Sequence, residues 1–237
     1  MGRRFADLHI RCPISGADNL RPLLESARTI GYRHVAVEFG PGSMNQTGKV
    51  EEICNGLDLE VSTRVDLDPR DGGSLQNMLR HHRGRFDIVA GVCRNHSVAR
   101  QAALDPRVDL LEFPHDPRER KLVNFSNKEA ELAANRSCAL ELDFSAMLRA
   151  DEIGQARLLS IMRTELSIAL DNDVRVIVTS GAGDLYGLRA PRDLASFLGL
   201  LGANWQTCLD AVSTSPVQVV ARKKTLIARL DRDRDTR

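Results

Sequence analysis

Eight short apolar runs alternate with helical segments along the chain, and no hairpin turn signal joins any two of them. Strands separated by helices must pair in parallel, because each helix carries the chain back to the edge it left. The runs lie at 5–10, 34–39, 59–65, 86–92, 108–113, 138–144, 174–178 and 217–221. Eight such units in 237 residues fit a TIM-like (β/α)8 barrel better than an open doubly wound sheet. The expectation is an α/β single domain, with the barrel over 1–225 and a charged tail over 226–237. No linker or low-complexity stretch interrupts the alternation.

Helix signals punctuate the runs. Leu20, Leu23, Leu24, Ala27 and Ile30 are spaced for one helical face, with Asp18 or Asn19 as the cap and Gly31 as the stop. Ser74 is the expected cap of a helix through Leu75, Met78 and Leu79. Ser126 and Glu129 form a capping-box pair. A long helix is expected over 154–170, with Leu159, Met162, Leu166 and Ala169 on one face. The stretch 114–124 reads as a charged loop. Ser180-Gly181-Ala182-Gly183 connects the seventh strand to a helix that starts at Pro191. That loop reads as a tight turn, or as a phosphate cradle of a small-molecule enzyme.

Charge and cysteine content narrow the function classes. Lys+Arg numbers 33 and Asp+Glu 32, so the net charge is +1 and an all-round basic coat is excluded, though a local basic face is not. Aromatics are 4%, too few for base stacking to be a widespread binding device. Nearly all the cations are arginine, whose donor fork suits phosphate. Five scattered cysteines without a CxxC fit a reducing compartment, neither a disulfide framework nor a zinc knuckle. The opening MGRRFADLHI lacks a signal-peptide core, and no stretch is apolar enough to span a membrane, so the expected location is the cytoplasm.

In a barrel, function gathers at the carboxyl ends of the strands. Two chemistries compete there. Asp7, His9, Glu38, Asp66, Glu112, His115 and Asp143 form a ligand pool for a hydrolytic metal. The Asp-Leu-His of the first run resembles the opening of the polymerase-and-histidinol-phosphatase family of metal phosphoesterases. That family has a second histidine two residues on, where this chain has Arg11. Alternatively, Arg11, Arg64, Arg94, Arg118, Arg120, Lys121 and Arg189 form a rim that meets an RNA backbone, with carboxylates holding the arginines in place. At the C-terminus, Arg222, Lys223, Lys224 and four further arginines face three aspartates, a basic segment able to touch RNA.

The order of several pieces is similar to a known family. FADLHI, IGYRHVAVEF, TRVDL, FDIVAGVCRN, VDLLEFP and VIVTSGAGDLYGLRAPRDLASFLGLLG together resemble the 30-kDa protein subunit of archaeal and eukaryotic ribonuclease P, over roughly residues 5–224. The resemblance implies a TIM-like barrel inside a ribonucleoprotein that removes the 5′ leader from precursor tRNA. It implies that the RNA with bound magnesium is catalytic, that the protein itself holds no cofactor, and that a small ferredoxin-like subunit is a partner. It places functional weight on Arg64, Arg94, Lys121 and Arg189, then on His115, Arg118 and Arg120.

Overall fold

A computed structural model describes residues 2–12, 20–40 and 44–222. Seven parallel strands follow one another around a nearly closed barrel: β1 Phe5–Arg11, β2 Tyr32–Glu38, β3 Glu60–Leu67, β4 Ile88–Val92, β5 Leu110–Glu112, β6 Ala139–Asp143 and β7 Val176–Thr179. The helices are α1 Arg21–Thr29, α2 Thr47–Gly56, α3 Gly72–His82, α4 His96–Leu104, α5 Pro117–Leu122, α6 Asn127–Arg136, α7 Ser145–Arg149, α8 Glu152–Asp171, α9 Pro191–Leu200 and α10 Trp205–Ala211. The TIM-like α/β fold expected from the alternation is the fold observed.

Strand alternation divides the apolar residues between two cores. Outward-facing Val35, Val37, Val65, Val89, Leu111, Leu140 and Val178 pack with helix residues such as Leu24, Leu79, Ala102, Met162 and Leu198. Inward-facing Ala6, Leu8, Ala36, Ile88, Ala90, Leu110, Ala139 and Ile177 fill the barrel. The many alanines leave the interior roomy, and long polar side chains occupy its upper half.

The eighth apolar run is not a strand. Residues 214–222 are helical, and Val219 projects from that helix into the barrel's inner core. Pro216 sits in the first turn of this helix, where its missing N–H costs nothing. The edge an eighth strand would take is already used. Ala6 N donates to Val212 O at 3.0 Å, and Arg11 N donates to Ala182 O at 2.8 Å. Arg222 pins the helix below the barrel by donating to the carbonyls of Val108, Pro106 and Arg136.

Two further local readings change. The stretch 114–124 contains α5, started by Asp116, whose side chain accepts from Arg118 N at 2.7 Å. The cap of α3 is Asp71, and Ser74 is its box partner at N3. The capping box at Ser126 and Glu129 forms as expected, and Gly31 ends α1 at φ +114°. Asp18, Asn19, Lys223, Lys224 and the tail 226–237 lie outside the described residues. Among the described residues, no helix is long and apolar enough to cross a membrane.

Candidate functional site

A bulge in β1 creates the polar end of the barrel. Asp7 pairs with Val35 but Ile10 pairs with Val37, so β1 spends one extra residue there. Leu8 and His9 therefore both face inward, and the parity beyond them is switched. His9 and Arg11 enter the barrel, while Ile10 joins the outer core.

Arg64 of β3 is the centre of the well and is completely buried. Its Nε donates to Asp66 at 2.6 Å. Its Nη1 donates to Leu8 O at 2.9 Å and to Glu141 Oε1 at 2.7 Å. Its Nη2 donates to Glu141 Oε2 at 2.7 Å and to Glu112 Oε2 at 3.3 Å. Four strands thus converge on one guanidinium. His9 bridges Glu141, 3.1 Å from Nδ1, and Glu38, 3.2 Å from Nε2. Arg11 closes the top, with 2.8 Å to Asp143, 3.1 Å to Ser145 Oγ and 2.5 Å to the Gly181 carbonyl. His115 Nε2 lies 3.0 Å from Glu112 and 3.2 Å from Asp143, ion-pair distances without hydrogen-bond angles.

The electrostatics follow from this crowding. Burial alone would raise the Glu141 carboxyl, but Arg64 and His9 outweigh it and hold it well below the carboxylate range. Burial also opposes protonation of His9, and so does Arg64; Asp66 and Glu141 prevail and raise it well above the ordinary imidazole value. His115 is raised to about 8 because Asp143 and Glu112 overcome its burial. Glu112 goes up to about 7 through burial and the neighbouring Asp66. Asp7, on β1 just before the bulge, goes up to about 6 by burial, although the Ser180 and His9 amides donate to it. Arg11, Arg64, His9 and His115 thus sit among five carboxyl groups, Glu38, Asp66, Glu112, Glu141 and Asp143.

Two sets of ligand-type atoms come within 4.8 Å of one another: His9, Glu38 and Asp66, and His9, Glu112 and Asp143. They do not fit a resident metal. Arg64 already claims Asp66 and Glu112, and Arg11 claims Asp143. The metal-phosphoesterase reading therefore has residue types without a cation seat.

In the loop after β7, Gly181 serves a carboxylate of the barrel. Gly181 has φ +59°, and a Cβ on it would stand 2.1 Å from Asp143 Oδ1. The glycine makes room for that carboxylate, and its carbonyl holds Arg11.

The rim cations separate into classes. Arg64 and Arg120 are buried, and the expectation that they meet RNA is corrected. Arg64 has every donor engaged inside the well, and Arg120 clamps α5 to α8 through Glu165 at 2.6 Å. Arg11 and His115 are partly exposed at the mouth. Arg94 is half-exposed and paired with Asp68 at 2.9 Å and Glu119 at 3.2 Å. Arg118 and Lys121 are exposed on α5. Arg189 donates to the Tyr186 and Leu188 carbonyls and lies 5.5 Å from the Phe144 ring centroid.

Two residues that sequence reasoning missed complete the mouth. Arg149 ends α7, and Tyr186 is 90% exposed in the loop after β7. A strand-end signal existed for both, since each follows a barrel strand by fewer than ten residues.

Residues 4–228 match the family described as RNase P subunit p30. The chain belongs to that family. Among its relatives, ribonuclease P protein component 3 of Methanosarcina barkeri is 25% identical over 225 residues, covering 94% of this chain and 92% of the relative. The corresponding protein of Methanococcoides burtonii is 23% identical over 223 residues, covering 94% and 89%. A chain in a cryo-EM structure of archaeal ribonuclease P with mature tRNA superimposes at TM-score 0.78 with 21% identity, covering 93% of each chain. An organophosphorus hydrolase from Deinococcus radiodurans shares only the barrel, at TM-score 0.54 and 12% identity. This p30 chain thus carries a parallel barrel whose polar well is filled by two arginines.

Proposed function

We propose that this chain is a noncatalytic protein subunit of ribonuclease P. It binds the catalytic RNA and a small ferredoxin-like protein subunit, and it supports removal of the 5′ leader from precursor tRNA in the cytoplasm. Magnesium for the cleavage belongs to the RNA in this reading, and the chain contributes cations that neutralise phosphates. The observation that carries the proposal is the match of nearly the whole chain to the p30 family. The interior supports it, because its acid and base groups are spent on one another. Exposed Arg94, Arg118 and Lys121 and the partly buried Arg189 are the residues proposed to touch RNA, with Arg11 and His115 at the edge of that surface.

Reconstitution tests the proposal. Ribonuclease P assembled with and without this chain is assayed for precursor-tRNA cleavage at limiting magnesium. Cleavage should become faster, or require less magnesium, when the chain is present. Indifference to the chain overturns the reading.

A further inference from the structure

Two recesses adjoin at the ends of β6 and β7. The first, about 480 Å³, is lined by Arg11, Ser145, Arg149, Tyr186 and Arg189, with Asp184 as its acid. The second, about 370 Å³, holds His115, Arg118 and Arg149, with Asp116 and Asp151. Arg149 is common to both, so the recesses form one track from Arg189 past Arg149 to Arg118.

The cations along this track differ from the other arginines of the mouth. Arg94 and Arg11 face carboxylates within 3 Å. Among the described residues, no carboxylate oxygen lies within 4 Å of the Arg149, Arg189 or Arg118 guanidinium. Arg149 donates to Ser145 Oγ at 2.6 Å, and that bond leaves its outer donors unused. Burial and the adjacent Arg11 lower the affinity of Arg149 for its proton, so two like charges are held together with only one of them paired. An anion entering the recess relieves that repulsion.

The apolar side of the track is also specific. Tyr186 stands 90% exposed at the lip of the first recess, beside Leu185 at 51% and Leu148 at 42%. The loop that carries it is fixed from below, because the buried Tyr32 hydroxyl donates to the Arg189 carbonyl at 2.9 Å. An exposed aromatic ring on an anchored loop, beside guanidinium groups without a carboxylate partner, matches an unstacked nucleotide: the ring takes a base face and the arginines take phosphates. In a duplex the base faces are stacked on one another, and the ring would find nothing to cover.

We propose that this track seats a short single-stranded RNA segment, with phosphates on Arg189, Arg149 and Arg118 and one base stacked on Tyr186. The proposal rests on the RNA-binding role given above and names the form of RNA that the site takes.

A fluorescein-labelled six-nucleotide oligouridylate and an RNA duplex of equal length are titrated against the full chain by anisotropy over a salt series. The single strand should bind more tightly than the duplex. Arg149→Ala should lower the salt slope by about 0.7, the value for one lost phosphate contact on a single strand. Tyr186→Ala should weaken binding about 10-fold, and Tyr186→Phe should restore it. Melting temperatures should stay at the wild-type value, since both side chains are exposed. Absence of oligonucleotide binding, equal binding of the duplex, or variants indistinguishable from wild type overturns the proposal. So does a Tyr186→Ala variant that binds RNA normally but assembles poorly with the partner protein subunit, which makes the patch a protein contact. The same variants in the reconstituted enzyme separate the two readings. If the chain stimulates cleavage but its oligonucleotide binding ignores both substitutions, only the track falls. If the oligonucleotide results hold while cleavage is indifferent to the chain, only the subunit role falls.

Discussion

Removing the Arg64 guanidinium leaves Asp66, Glu112 and Glu141 crowded inside the barrel with only the two histidines, His9 and His115, as nearby counter-charges. Breaking a buried ion cluster by deleting one partner typically costs roughly 3–5 kcal/mol. Arg64→Met should therefore lower the unfolding free energy in urea by about that amount. A loss below about 1 kcal/mol means the well does not depend on its arginine. Residue type and strand-end placement marked Arg64 as functional, but they are silent on what it faces. Its partners Glu112 and Glu141 are 48 and 77 residues away in sequence, and only closure of the barrel brings them together. His115 adds a pH dependence. Its pKa is raised from 6.5 to about 8, so the folded chain holds that proton more tightly than the unfolded one. The stability from this group is complete below about pH 6.5 and is lost as pH rises through 8. The full difference is on the order of 2 kcal/mol. Urea midpoints of wild type should fall between pH 6.5 and 8.5, and His115→Gln should flatten the fall. An equal fall in both proteins assigns the effect to another group.

Seven strands were legible because each is a compact apolar run bounded by turn or cap residues. The eighth run misled for a physical reason. A helix that crosses the barrel floor presents β-branched residues to the inner core, and over five residues that composition is the same as a buried strand's. Val219 is the test of this element. It is 1% exposed among Ala6, Leu8, Leu110 and Ile177. Val219→Ala should cost roughly 1.5–3 kcal/mol, two buried methyl groups at about 0.8 each plus the cavity they leave. A neutral substitution in an unfolding titration means the helix does not seal the floor. The loop after β7 was legible as strand, turn and helix, but its purpose was not. Gly181 combines a positive φ with an Asp143 oxygen where a Cβ would stand. Gly181→Ala therefore has to displace that carboxylate from Arg11 and His115 as well as strain the backbone. It should destabilise by at least about 1–3 kcal/mol. A crystal structure of the variant with Asp143 unmoved contradicts that account.

The chain as a whole keeps its charges in two populations, one sealed and one open. Inside, two arginines and two histidines are set against five carboxyl groups within a wall of apolar side chains. Outside, the cations at the mouth differ in what already holds them, and that difference ranks their contributions to RNA binding. Arg94 is shared between Asp68 and Glu119, so a phosphate must compete with two carboxylates for it. Arg189 is held only by carbonyls and by the face of Phe144, and its charge stays available. Sequence alone gave both arginines equal standing, because each follows a barrel strand and the pairing of Arg94 depends on Glu119 of α5, in a stretch read as loop. Counterion release makes the ranking measurable. Each lost phosphate contact lowers the salt slope of RNA affinity by roughly 0.7–0.9. Arg189→Ala should show that full decrement with ribonuclease P RNA, and Arg94→Ala a smaller one. Asp68→Asn, which frees Arg94 from one competitor, should tighten binding and steepen the slope. Equal decrements for the two alanine variants, or a shallower slope in Asp68→Asn, mean that carboxylate pairing at the mouth does not control which cations reach the RNA.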